Sequence, residues 1–215
     1  MRQLLIVAFL MTASPAGAQV FEVSAGIGRG CIGSEGGLCG DDKGRVLATH
    51  ASVWLDDRLE LGVRFATLGL RDQTYFIAHD SRFEAADDPA ARQLPRIDVA
   101  SRNRSRRILN GDVLYHFQRG RPVRILLGLG FGRRWDLSTE TCTPAGCERI
   151  MAILSSGGSF LPGAHRDIAI VTGLSSRVRQ RVEIRGGVRL HNFAGEGTST
   201  AELFIATGYR LGRRR

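Results

Sequence analysis

Between Arg107 and Trp135 the chain reads RILNGDVLYHFQRGRPVRILLGLGFGRRW, and few folds accept such a stretch. Successive side chains of a strand point to opposite sides. In the first run Leu109, Val113, Tyr115 and Phe117 therefore share one face, and Asn110, Asp112 and His116 the other. After Gln118-Arg119-Gly120-Arg121 the pattern repeats, with Val123, Ile125, Leu127, Leu129 and Phe131 against Arg124, Gly128, Gly130 and Arg134. The two runs predict a long β-hairpin with one apolar face and one polar face.

The same alternation recurs along the chain. It predicts strands over 20–29, 46–55, 58–70, 107–117, 123–135, 167–175, 181–191 and 198–211. Tight turns are expected at Asp56-Asp57, at 118–121 and at Ser176 to Arg179. Long connections are expected over 30–44, 71–106 and 136–164, with a shorter link at 194–197. Short turns thus follow strands two, four and six, and long loops follow one, three and five. This is the asymmetry of membrane barrels, and an even strand count closes such a barrel.

The N-terminal MRQLLIVAFLMTASPAGAQ has a positive start at Arg2, an apolar run from Leu4 to Met11 and a small-residue Ala16-Gly17-Ala18 pattern. Residues 1–18 read as a secretory signal peptide, which leaves 19–215 as one domain. No segment reaches the ~20 apolar residues of a spanning helix. A mature chain that lives in a membrane must then be a closed barrel, because open strands leave backbone groups unpaired in lipid.

Cys31, Cys39, Cys142 and Cys147 form two close pairs, which in an oxidising compartment predict local disulfides Cys31–Cys39 and Cys142–Cys147. Zinc is the rival reading, but the spacings lack the metal-finger pattern and no histidine lies close by. Neither a metal nor any other cofactor is expected.

The polar face carries both signs of charge: Glu22, Glu60, Asp112, Glu183 and Glu202 with Arg64, Arg124, Arg185, Arg189 and Arg210. A soluble carrier barrel would be apolar inside and polar outside, and a small membrane barrel reverses this. Eight strands enclose a lumen that side chains fill. The ten residues are therefore expected to form an ion-paired plug, with His50 and His116 hydrogen-bonded among them, and not an open general pore.

The signal peptide, the eight alternating runs and the rhythm of turns make the mature chain resemble the small eight-stranded outer-membrane β-barrel proteins of the OmpA/OmpX type. The resemblance implies an all-β, antiparallel, up-and-down transmembrane barrel in a Gram-negative-type outer membrane. It also implies delivery by the barrel-assembly machinery, for which Tyr209 is the nearest counterpart of the aromatic residue that commonly ends such chains. A structural or surface-interaction role through the long loops follows, for a monomer with outer-membrane lipid and lipopolysaccharide as partners.

The net charge of +9 is carried almost wholly by arginine, with Lys43 the only lysine. An exported chain rarely meets nucleic acid, so lipid or lipopolysaccharide phosphates are the expected partners. Arg102, Arg104, Arg106 and Arg107, with Arg133 and Arg134 across the hairpin, are the candidate contacts, because guanidinium pairs bidentately with phosphate. Phe21, Tyr115, Phe117, Phe131, Trp135 and Tyr209 are candidate interface aromatics.

An enzymatic alternative rests on His191. Lipid A deacylases are barrels with a late histidine and a serine two residues on; this chain has Phe193 there, with Ser199, Glu196 and Glu202 further along. Without that serine no catalytic residue is assigned.

Overall fold

The computed structural model describes residues 20–33, 39–40, 42–78, 96–117, 121–143, 165–192 and 198–211. The expected signal peptide, the turn tip at 118–120, Cys147, and Phe193 with Glu196 lie outside the described residues. So do Met151 to Leu154, for which the sequence offered both a helix and a strand.

Among the described residues nine strands follow one another: β1 (Val20–Gly33), β2 (Asp42–Trp54), β3 (Leu59–Leu70), β4 (Gln73–Ala78), β5 (Arg96–His116), β6 (Val123–Thr143), β7 (His165–Arg179), β8 (Val182–His191) and β9 (Ser199–Leu211). Each pairs antiparallel with its neighbours in the order β3-β2-β1-β9-β8-β7-β6-β5, and β3 pairs with β5 to close the ring. The short β4 resumes the path of β3 after Arg71 and Asp72 and pairs with the first part of β5. The architecture is thus an eight-stranded, up-and-down, transmembrane-type β-barrel with no sheet edge around its circumference.

The barrel is apolar outside and charged inside. Ile27 is 62% exposed, Leu47 64%, Leu127 47% and Leu203 63%, whereas the side chains of Glu60 and Glu183 are 0% exposed. This arrangement is unfavourable in water and favourable in lipid. The outward apolar run of β6, from Val123 to Phe131, measures about 27 Å along the strand and about 21 Å along the axis at the usual tilt, close to the ~25 Å belt of such barrels. At the end that holds Val20 and Leu211 the belt is bordered by Tyr115 and Phe117, whose rings meet edge to face 4.7 Å apart, and by Tyr209, whose hydroxyl accepts from Arg181 at 3.3 Å.

The turns at that end are short, and their chemistry is local. Asp56 Oδ1 accepts from the backbone N–H of Arg58 and Leu59, both at 2.6 Å, an aspartate-capped turn. The β7–β8 turn lies at Gln180-Arg181, beyond the expected 176–179, because β7 stays in the ladder through an irregularity between Arg177 and Arg179.

The opposite end differs more from expectation. The loop expected over 71–106 contains β4 and the first eleven residues of β5, and β6 runs on through Thr143 where a loop was expected from Asp136. These strands stand clear of the belt, where lipid no longer imposes a period of two, and β4 carries the contiguous run Tyr75-Phe76-Ile77 in place of an alternation. The β5–β6 register shifts between Arg102 and Ser105. At that irregularity Asn103 takes φ 53°, a left-handed conformation that asparagine tolerates, and its N–H donates to Asp72 Oδ1 at 2.9 Å. Likewise β1 extends through Gly33 rather than Arg29, and the Cys31–Cys39 disulfide joins it to the return of the chain. The expected partnership of Cys142 and Cys147 lies outside the described residues.

Candidate functional site, the charged lumen

Inward-facing positions of all eight barrel strands converge on three tiers. At the terminal end Arg185 on β8 lies among three carboxylates: Nη2 meets Glu22, Nη1 is 2.8 Å from Glu60 Oε1, and Nε is 3.5 Å from Glu183 Oε1. Arg210 on β9 bridges Glu22, at 3.0 Å from Nε, and Glu183. Arg124 on β6 reaches Glu183 Oε2 at 2.9 Å and the carbonyl of Asp57 at 3.3 Å. Three arginines thus face three glutamates, all buried.

Trp54 is the apolar centre of this tier. Its indole N–H donates to Glu22 Oε2 at 3.0 Å. The Arg210 guanidinium lies 4.0 Å from its ring centroid and that of Arg124 5.2 Å, and the His116 ring is 4.3 Å away. The ring offers a π-face to cations already paired with carboxylates. His116 in turn lies 2.9 Å from Glu60 Oε2 and 3.2 Å from Ser175 Oγ.

In the middle tier Arg189 grips Asp112 with both terminal nitrogens, at 2.9 and 2.6 Å, and Arg64 reaches Glu202 Oε2 at 2.5 Å. His50 lies 3.7 Å from both Glu60 and Asp112. Glycines clear the space these side chains need. A Cβ at Gly130 would stand 2.7 Å from Asp112 Oδ1 and 3.0 Å from Arg189 Nη1, one at Gly62 would overlap the His50 ring, and one at Gly208 would overlap the Glu22 carboxylate.

In the tier nearest the loops His191 Nδ1 is 2.7 Å from Asp167 Oδ2 and Nε2 is 3.3 Å from Glu202 Oε1. Asn110 donates to the same Asp167 oxygen at 2.8 Å. Arg106 pairs bidentately with Asp136, at 2.6 and 2.8 Å, and also donates to Thr198 and Thr200. Arg134 donates to the Thr198 carbonyl at 2.6 Å.

All ten residues of the expected lumen network are buried and face inward. One void among these side chains, about 50 Å³, has one wall of Leu114, Leu126, Val171 and Phe204 and another of His50, Arg64, Asp112 and Arg189. That is room for one or two waters, and His50 Nε2 and Arg64 Nη1 are among the buried atoms lacking a protein hydrogen-bond partner.

The arginines of the expected phosphate patch part company. Arg102 is exposed and lies 3.5 Å from Asp72, Arg104 pairs with Asp42 at 2.6 Å, Arg106 is turned into the lumen, and Arg107 faces outward beside the belt. Across the hairpin Arg133 points outward and Arg134 inward. Strand parity separates neighbours that the sequence presents together. The sequence reading missed Asp167, Asp136 and Trp54 as lumen partners; Asp167 opens the alternating run of β7, and that was the available signal. Among the described residues no group of three or more His, Cys, Asp or Glu side chains could hold a metal ion.

No protein-family model matches the sequence, and no curated protein matches it. Among solved structures, neisserial surface protein A aligns over 89% of this chain and 97% of its own, at 14% identity and a TM-score of 0.58. Ail of Yersinia pestis (11% identity, 91% and 99% covered, TM-score 0.45) and the N-terminal β-barrel domain of Pseudomonas aeruginosa OprF (12%, 88% and 97%, TM-score 0.45) also align. The first of these likenesses supports the fold alone: that of the small eight-stranded outer-membrane barrels.

Proposed function

We propose that this chain is a sealed outer-membrane β-barrel of an exported protein, with a structural or surface-interaction role carried by the strands and loops that project beyond its belt. The observation that carries this reading is the pairing of an apolar exterior with a lumen crossed by three tiers of mutually paired charges. Arg185, Arg210 and Arg124 span the lumen to carboxylates on other strands, so ions meet fixed charge and not a water column. Delivery through a cleaved signal peptide and the assembly machinery follows from the same reading.

The lumen also argues against lipid-modifying catalysis at His191. Its side chain is 0% exposed and held between Asp167 and Glu202, out of reach of a substrate in the membrane. Its Nδ1 contact with Asp167 and the 3.3 Å approach of Nε2 to Glu202 join β8 to β7 and β9.

Planar bilayers test the sealed lumen. The purified barrel is expected to give no steady conductance at moderate voltage, whereas a variant that removes the centre of the terminal tier, Trp54→Ala with Arg185→Ala, is expected to show open events. Steady, ohmic conductance from the unaltered protein would contradict the reading.

A further inference from the structure

The ladder places four cations side by side on the outer surface where the belt ends. Arg29 on β1 is directly opposite Arg45 on β2 on one side and Leu203 on β9 on the other. One row nearer the loops, Cys31 lies between Lys43 and Ala201. Arg71 follows β3 just past the Gly44–Leu70 pair, which brings it level with Lys43. Between these residues is an open cleft of about 730 Å³, floored by Gly69, Ala201 and the Cys31–Cys39 disulfide and bordered toward the belt by Val188 and Leu203. A Cβ at Gly69 would meet nothing nearer than the Arg45 carbonyl at 3.9 Å, so the floor is open.

Like charges directly across a strand pair destabilise a sheet unless an anion lies between them. Among the described residues lining the cleft the only carboxylate is Glu202, and it faces the lumen against Arg64 and His191. Arg29, Lys43, Arg45 and Arg71 have no acidic partner among the described residues.

The level of the cleft identifies the anion. On strand after strand the outward apolar run stops at a cation: Ile27 gives way to Arg29, Leu47 to Arg45, Leu109 to Arg107, Phe131 to Arg133 and Ile168 to Arg166. These positions form a collar in which Arg29 is directly opposite Arg45 and Arg133 directly opposite Arg166. A collar at the edge of an apolar belt lies at the depth of lipid headgroups. Below the cleft, Leu203, Ile205 and Ile27, 55–63% exposed, offer a continuous track for acyl chains.

We infer that this cleft on β1, β2, β3 and β9 binds the phosphate-bearing headgroup of a membrane lipid in the leaflet on the loop side, with its acyl chains along Leu203 and Ile27. The inference rests on the transmembrane reading above. It moves phosphate recognition from the 102–107 segment of β5 to the outward face of β1, β2, β3 and β9 beside it, where Arg104 donates to the Arg71 carbonyl at 3.1 Å. Guanidinium pairs suit phosphate, since each offers parallel donors to two oxygens.

The test titrates the detergent-solubilised barrel with bis-phosphorylated lipid A, with the same lipid dephosphorylated, and with inorganic phosphate, reading bound lipid by native mass spectrometry. The unaltered protein should prefer the phosphorylated lipid, and Arg29→Gln with Arg45→Gln should weaken its binding roughly tenfold or more, as loss of charge-assisted hydrogen bonds implies. Arg102→Gln, in the projecting segment, should leave it unchanged. Equal binding by the double variant and the unaltered protein overturns the inference, as does equal binding of the dephosphorylated lipid. Full displacement by inorganic phosphate overturns the assignment to a lipid. Each sample is also run unheated and heated on a gel. Heat-dependent mobility with unchanged lipid preference refutes the cleft alone, whereas an absence of heat-dependent mobility refutes the membrane barrel and the cleft with it.

Discussion

Replacing Arg185 with leucine is expected to destabilise the folded barrel by about 3–5 kcal/mol, the cost of breaking a buried ion pair from one side. Three carboxylates depend on this guanidinium: Glu22, Glu60 and Glu183, each with a side chain 0% exposed. Arg210 and Arg124 still serve Glu22 and Glu183, so the carboxylate left poorest is Glu60, with only His116 at 2.9 Å and His50 at 3.7 Å. Adding Glu60→Gln to Arg185→Leu should therefore recover part of the loss, and the coupling in a double-mutant cycle should exceed about 1 kcal/mol. Urea unfolding of the lipid-reconstituted barrel reads both values. Arg181→Leu, at the exposed β7–β8 turn, is the control and should shift stability by no more than about 0.5 kcal/mol. A loss at Arg185 as small as the control's would mean that the network is not closed around it.

The second large effect lies on the outer surface. Leu127, 47% exposed and midway along the outward run of β6, should sit near the centre of the bilayer. Leu127→Arg is expected to cost about 2–4 kcal/mol in reconstituted bilayers, since an arginine at that depth must draw water or headgroups toward it. The same substitution at Thr139, an exposed position of β6 beyond the belt, should cost about 0–1 kcal/mol. Were the exterior bathed in water, Leu127→Arg would be close to neutral, because a lone exposed leucine gains little from its surroundings.

The contrast between these two positions shows what the sequence could and could not convey. Inside the belt, lipid on one side and charge on the other impose a period of two, and that period made the strands and their inward residues readable from Glu22 to Arg210. Beyond the belt nothing imposes that period: β4 carries the contiguous run Tyr75-Phe76-Ile77 and β5 a basic run. The strand through Arg102 to Arg106 is held by ladder hydrogen bonds that depend on no side-chain pattern, and in the sequence it looks like a basic loop. Its arginines were grouped for the same reason: contiguity in sequence is a poor guide on a strand, where Arg106 and Arg107 point to opposite sides. The outward cleft was hidden differently. Arg29, Lys43, Arg45 and Arg71 come from three segments, and only the registers of β1 with β2 and of β2 with β3 bring them together. A signal did exist, for the outward apolar runs of β1, β2, β5, β6 and β7 each end on a cation, but the alternation was read for where it continues and not for where it stops.

The partners of the lumen charges were legible only as a set. Parity puts Asp112 and Arg189 on the same side, yet their pairing across the lumen depends on barrel closure, through β3 with β5 and β1 with β9. The glycines at 62, 130 and 208 belong to the same arrangement, since a side chain there would fill the space that the charged groups occupy.

An apolar exterior that faces lipid encloses a sealed, charged interior, and gel mobility tests that arrangement most directly. The chain, expressed with residues 1–18 in a Gram-negative host, is recovered from purified outer membranes and run in detergent with and without boiling. A folded species that migrates differently until heated, and that is found in the outer-membrane fraction, is the predicted result. A protein in the soluble periplasmic fraction whose mobility does not change on boiling would contradict it.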